Sequence, residues 1–196
     1  MSHAIRLIVG LGNPGPQYAN TRHNAGARLV EAMAAQCHAP LHNEKRFFGL
    51  CTRVTIDQHD VRLLVPTTYM NHSGQAVAAA AGFYQLSASN ILVVHDELDL
   101  PAGAARLKVG GGHGGHNGLR SIIQCLGNER GFLRLRLGIG HPGNAGDVTG
   151  HVLSKAPKAE DQALQEAIDS SAQMMPLIVA GKLDNAMNQL HRSPSA

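Results

Sequence analysis

The chain has 196 residues, 43% hydrophobic and 16% charged, with a formal net charge of +3 and a pI near 8.9. That balance excludes a disordered chain and suits one compact domain over residues 1–196. The mild basic excess is compatible with a polyanionic partner without demanding one.

Further exclusions come from single residue types. There is no Trp, and four Phe and three Tyr are too few for a multi-base stacking platform. Cys37, Cys51 and Cys125 form no Cys-x-x-Cys, which argues against a disulfide framework or structural zinc and fits a reducing cytoplasm. No apolar run is long enough to span a membrane, and Ile5–Leu11 is too soon broken by Gly and Pro to be a signal peptide.

In chain order, an apolar run predicts a buried strand over Ile5–Val9. It opens into a rigid Gly/Pro loop that delivers an amide (Asn13), a phenol (Tyr18) and an imidazole (His23). A helix over about Asn24–Gln36 follows, with Leu29, Val30, Met33 and Cys37 near helical spacing. Phe48–Ile56 and Val61–Val65 predict a hairpin across the polar turn Asp57-Gln58-His59-Asp60. Ser73–Tyr84 is an Ala-rich helix, Ile91–Val94 a short apolar strand, and Ala104–Val109 a strand suited to a sheet edge. Asn117–Leu126 predicts a helix, and Leu133–Ile139, alternating Leu and Arg, a strand with one solvated face. Ala159–Ala180 is a longer amphipathic helix in which Pro176 should either make a kink or begin a second turn system, and Leu183–Leu190 is a last short one. Strands separated by helices predict an α/β fold: one mixed, mostly parallel, twisted sheet covered by helices on both faces.

Several motifs carry chemistry. Gly10-Leu11-Gly12-Asn13-Pro14-Gly15 matches the G-x-G-x-x-G dinucleotide pattern, but Pro14 and Pro16 hold the chain extended where the pattern needs a helix N-terminus. The expected acidic residue after a second strand is also missing, because Glu31 lies inside the helix. Pro66-Thr67-Thr68-Tyr69-Met70-Asn71 reads either as a plain helix start or as a second amide aimed at the crevice of Asn13. Asp96 follows an apolar strand, where it either caps a turn or orients an imidazole; paired with His23, each would explain the other.

The run from Gly110 to Gly118 holds six glycines in nine positions, the others being His113, His116 and Asn117, and suits an anion cradled by backbone N–H groups. His113 and His116 have H-x-x-H spacing, but no third metal ligand is evident and an irregular loop does not preset the pair. Arg134 and Arg136 share one strand face and, with Lys108, suit either a phosphate-binding patch or an ordinary solvated surface. No G-x-S-x-G elbow or His-activated cysteine motif is present, so a hydrolase built on these residues would use water, with His23 as general base.

Taken together, these blocks resemble the bacterial-type peptidyl-tRNA hydrolases. The resemblance rests on residues 10–15 with Tyr18, Thr21–Gly26, Pro66–Gly74, His95–Pro101, Gly110–Leu119 and Arg134–Pro142, in the family's order and spacing over nearly the whole chain. It implies hydrolysis of the ester between a peptide and the 3′ ribose of tRNA. By motif position it implies His23 as base and Asp96 as its orienting partner. Asn13, Tyr18, Tyr69, Met70, Asn71, His116 and Asn117 become substrate contacts, and Lys108 and Arg136 contacts to tRNA phosphate. It implies no cofactor and no metal, a cytoplasmic monomer, and peptidyl-tRNA, mainly its acceptor end, as the partner. Tyr69 stands where the family usually has Phe, and Asn144–Asp147 where many relatives carry lysines. An ordinary imidazole base predicts activity that rises through pH ~6–7. The rival readings are an RNA-binding module without catalysis and a dinucleotide-dependent oxidoreductase.

Overall fold

The computed structural model describes residues 4–190. Seven strands form one sheet: β1 (Leu7–Gly10), β2 (His42–Glu44), β3 (Gly49–Ile56), β4 (His59–Pro66), β5 (Ile91–Glu97), β6 (Ala105–Val109) and β7 (Leu133–Gly138), in the order β2-β3-β4-β1-β5-β7-β6. The central four, β4-β1-β5-β7, run parallel, while β2, β3 and β6 join antiparallel at the two margins. Six helices accompany them among the described residues: α1 (Ala25–Gln36), α2 (Ser73–Tyr84), α3 (Asn117–Cys125), α4 (Val148–Val152), α5 (Lys158–Val179) and α6 (Leu183–Leu190).

Alternation along the central strands divides the core into two layers. Ile8, Leu92, Val94 and Leu135 face α1, α5 and α6, whereas Leu7, Val9, Ile91 and Val93 face α2 and α3. Both faces of the sheet are therefore covered, which is why β1 and the first part of β5 are apolar without interruption. None of the described helices is long and apolar enough to cross a membrane.

Two element ends differ from the sequence reading in ways that matter for the site. β5 continues past Val94 to Glu97, because β7 pairs alongside it through His95↔Arg136, Asp96↔Leu137 and Glu97↔Gly138. The strand thus carries its polar end deep into the sheet. The hairpin turn is also tighter than expected: β4 starts at His59, leaving Asp57 and Gln58 between the strands with φ of 45° and 67°. That pair of left-handed residues matches the twist of a two-residue hairpin loop. The short edge strand β2 and the helix α4 have no counterpart in the sequence reading, and α5 runs through Pro176 to Val179.

Helix α1 sits unusually close to the strand ends. The Ala27 N–H donates to Leu11 O at 2.9 Å, and the Leu11 N–H donates to Val94 O at 3.0 Å. A Cβ on Gly26 would collide with Val94 O and lie 2.7 Å from Leu11 N. The glycines of this region therefore serve helix–strand approach. α1 begins only at Ala25, well beyond Gly15, so the geometry of a dinucleotide fingerprint is not formed.

These contacts set up a paired prediction. Gly26→Ala should lower the free energy of unfolding by ~3 kcal/mol, since neither the carbonyl nor the strand can yield. Gly82→Ala, exposed inside α2 with open space around it, should raise stability by about 0.5–1 kcal/mol. Urea unfolding of the two variants checks both signs.

Candidate active site

The carboxyl ends of β1, β4 and β5 converge on one crevice, and Asp96 lies at its floor with only 3% exposure. Just before α1, a 3-10 turn (Arg22–Asn24) places His23 against it. The His23 Nδ1–H reaches both carboxylate oxygens, Oδ1 at 3.0 Å and Oδ2 at 2.9 Å. On its other side the carboxylate accepts from His116 Nε2 at 2.9 Å. His116 stands at the N-cap of α3, where its Nδ1 accepts from the backbone N–H of Gly118 at 3.1 Å and of Leu119 at 3.4 Å. An Nδ1 that accepts carries no proton, so the His116 proton resides on Nε2 and points at Asp96.

The electrostatics follow from this packing. Burial would push the Asp96 carboxyl up, but the charges and N–H groups of His23 and His116 outweigh it and hold it well below the usual carboxylate range. Burial acts against a charged His23, yet the Asp96 charge and hydrogen bond prevail, and its pKa lies above the ordinary 6.5. Because Nδ1 faces Asp96, Nε2 is the nitrogen left for the cavity; among the described residues it has no hydrogen-bond partner. His95, the neighbour of Asp96, is fully buried; burial and the nearby His116 drive its pKa down to about 3. Its Nδ1–H donates to Asp96 O at 2.7 Å, and it stays neutral in the physiological range.

His23, Asp96 and Asn13 open onto a cavity of about 690 Å³. Tyr18, Tyr69, Met70, Asn71, His116 and Asn117 line it too, so every residue named as catalytic or substrate-binding reaches one space. Asn13 Oδ1 accepts from the Met70 N–H at 2.8 Å, which turns its NH2 group away from the loop. Asn117 Oδ1 accepts from Arg120 at 3.2 Å. Tyr18 and Tyr69 meet edge to face at 6.4 Å, with Tyr69 largely exposed. One wall was missed in the sequence: Val148, Thr149, Val152 and Leu153, from α4 and its end. A five-residue helix leaves too little periodicity to read. Arg22, next to His23, ties that wall down through Ser154 Oγ at 2.7 Å, His151 O at 3.2 Å and Glu160 at 3.0 Å.

The basic residues occupy a smaller cavity of about 90 Å³, lined by Lys108, Arg134 and Arg136 with His95. It shares Glu97, His113 and Gly114 with the larger one and so lies beside it. Arg134 is not on a solvated face. It is 3% exposed, its guanidinium bonds the carbonyls of Gly111 and Gly112, and it lies over the Phe132 ring. The glycine loop covers that strand face because unpaired carbonyls there need a buried donor. Arg136 pairs with Glu97 at 2.9 Å, while Lys108 is exposed.

The H-x-x-H pair does not converge. His113 accepts from Gly115 N–H, whereas His116 serves Asp96 and α3. Among the described residues, His23, Asp96 and His116 do bring three donor atoms within 4.8 Å of one another. A cation there would need His116 Nε2 as ligand. That ring would then carry its proton on Nδ1 and lose its bonds to the start of α3, so the donor set fits hydrogen bonding better than metal.

Comparison with known proteins agrees with this geometry. The family model described as peptidyl-tRNA hydrolase matches residues 7–196. A peptidyl-tRNA hydrolase of Pseudomonas syringae pv. syringae (strain B728a) is 61% identical over 188 residues, covering 96% of this chain and 97% of its own. One from Teredinibacter turnerae is 56% identical over 191 residues, covering 97% and 99%. The crystal structure of peptidyl-tRNA hydrolase from Acinetobacter baumannii superposes with a TM-score of 0.95 at 50% identity, covering all of both chains.

The buried neutral His95 has a consequence for stability. Its pKa is depressed on folding, so the unfolded chain binds more protons than the native one between pH 6.5 and about 3. Stability is full above that window and falls as pH drops through it, at up to ~1.4 kcal/mol per pH unit. His95→Asn, which keeps a donor for Asp96 O, should flatten the decline in urea-unfolding free energy between pH 6 and 4, taken as an approximate working window.

Proposed function

This chain belongs to the peptidyl-tRNA hydrolase family and hydrolyses peptidyl-tRNA, releasing free tRNA, and we propose that the attacking group is water activated by His23. The observation that carries this reading is the orientation of one ring: Nδ1 held on Asp96 at 2.9 Å, and Nε2 left for the cavity with no hydrogen-bond partner among the described residues.

In this mechanism His23 Nε2 takes a proton from water as its oxygen attacks the ester carbonyl. Asp96 stabilises the imidazolium that forms and keeps the ring in the productive tautomer. Negative charge develops on the carbonyl oxygen, where the NH2 groups of Asn13 and Asn71 supply neutral donors. The tetrahedral intermediate then collapses, the C–O bond to the ribose breaks, and the proton on Nε2 passes to the departing 3′ oxygen. An ester needs no stronger assistance than one base and a few dipoles, whereas the amides of the same peptide survive. Carboxamides also suit a substrate whose constant feature is its backbone, and Asn117, Met70, His116, Tyr18 and Tyr69 complete that surface.

Binding is read in the same terms. Lys108 is the exposed cation of the basic cavity and takes a tRNA phosphate as a point charge. Arg136, already paired with Glu97, contributes by exchanging or sharing that partner. The contact is mainly with the acceptor end, since the ester must lie at His23. We assign the activity to a single domain over residues 1–196, acting as a cytoplasmic monomer with neither cofactor nor metal. The substrate's location in translation and the hydrogen-bonded His-Asp-His cluster support these assignments.

The pH profile tests the base directly. His23 must be neutral to act, and its pKa is raised, so kcat/KM should climb with pH around a midpoint above 6.5. Asp96→Asn removes the charge that raises it and leaves the burial that lowers it. The midpoint should then move below 6.5, and turnover should fall on the order of 10²-fold or more. Steady-state hydrolysis of an N-acetyl-aminoacyl-tRNA from pH 5 to 9, a roughly chosen span about the histidine range, measures both. For Lys108→Ala, KM should rise and the slope of log KM against log salt should shrink by about one phosphate contact, while kcat holds.

A further inference from the structure

We infer that Asn24 is a positioning residue that fixes the Asn13 carboxamide relative to His23; the inference rests on the reading that Asn13 meets the substrate. Asn24 stands just before α1, where an Asn side chain ordinarily accepts from the first free N–H groups of its own helix. Here it makes no such bond. Its Oδ1 instead accepts from the Asn13 N–H at 2.9 Å, and its Nδ2 donates to Asn13 O at 2.9 Å. One buried carboxamide thus pairs with both backbone groups of one distant residue, as a strand neighbour would.

Two further features show how the pairing is accommodated. A Cβ on Gly12 would lie 2.8 Å from Asn24 Cγ and Nδ2, so only glycine leaves room for the amide to lie against the loop. The Asn13 side chain is oriented separately, by the Met70 N–H on its Oδ1 at 2.8 Å. With backbone and side chain both held, the Asn13 NH2 group faces the cavity as a fixed donor. Asn24 also follows His23 directly in the same 3-10 turn. The base and the amide donor are therefore held by adjacent residues, and the separation between them is set by this one pairing. Correct placement of such a group is worth large rate factors, because displacement by about 1 Å can cost on the order of 10²-fold.

The test compares Asn13→Ala, Asn24→Ala and their double variant on an N-acetyl-aminoacyl-tRNA. Asn24→Ala should lower kcat on the order of 10²-fold, with the kinetic pH midpoint of His23 unchanged. The double variant should fall little further than Asn13→Ala alone. Asn24→Asp, which keeps an acceptor for the Asn13 N–H but sets an anion against Asn13 O, should lower kcat at least as far as Asn24→Ala, and it stands in if Asn24→Ala fails to fold. Losses that multiply in the double variant would overturn the inference. So would a shifted pH midpoint, which marks general damage to the turn, or an Asn24→Ala enzyme within about twofold of wild type beside a crippled Asn13→Ala. A fully active Asn13→Ala would instead remove the premise that Asn13 meets substrate, and the inference with it.

Discussion

A carboxylate almost sealed from water is tolerable only when its charge is answered, and the arrangement around Asp96 follows from that requirement. Two imidazole N–H groups and the surrounding fold meet it: His23 from the turn before α1 and His116 from the start of α3. The strand that carries Asp96 reaches so far only because β7 pairs with it to the end. Remove the acid and two rings from opposite walls of the crevice lose their common anchor.

The two imidazoles are equivalent in their bond to Asp96 and unequal in everything else. His116 has its second nitrogen accepting from the opening N–H groups of α3, so its Nε2–H is held toward Asp96. His23 has no hydrogen-bond partner on its second nitrogen among the described residues. A helix N-terminus thus settles which ring can exchange a proton with the cavity. The same buried charge raises the pKa of His23, so the group that anchors the base also makes it a stronger one. Around this centre the fold supplies neutral amides, and the cations stand in an adjoining cavity.

Much of this was legible in the sequence, for identifiable reasons. The alternation of apolar runs and helical periods marks β1, α1, α2, α3 and α6 within a residue or two, since each buries one clear face. Asn13, His23 and Asp96 were legible because chemistry-bearing residues after strands fall at one edge of an α/β sheet. Pattern alone failed where long-range contacts overrule local character. Asp96 and Glu97 look like loop but are strand, because pairing with β7 recruits them. Arg134 looks solvated, yet carbonyls of a loop more than twenty residues away draw it inside. Asn24 reads only as the start of a helix, and the fold reveals that its amide pairs with the backbone of Asn13. The Gly-x-Gly pattern is a poor dinucleotide signal beside Pro14 and Pro16, and in the fold its glycines clear space for α1 and for Asn24.

The central claim is that His23 is protonated on Nδ1, toward Asp96, and presents a basic Nε2 to the substrate. Nitrogen NMR of the protein labelled in its histidines, with His23 assigned through a His23→Gln variant, measures this directly. The account requires the Nδ1–H tautomer at high pH and a titration midpoint above 6.5, coincident with the kinetic one. A His23 that carries its neutral-state proton on Nε2, or that titrates below 6.5, would contradict it.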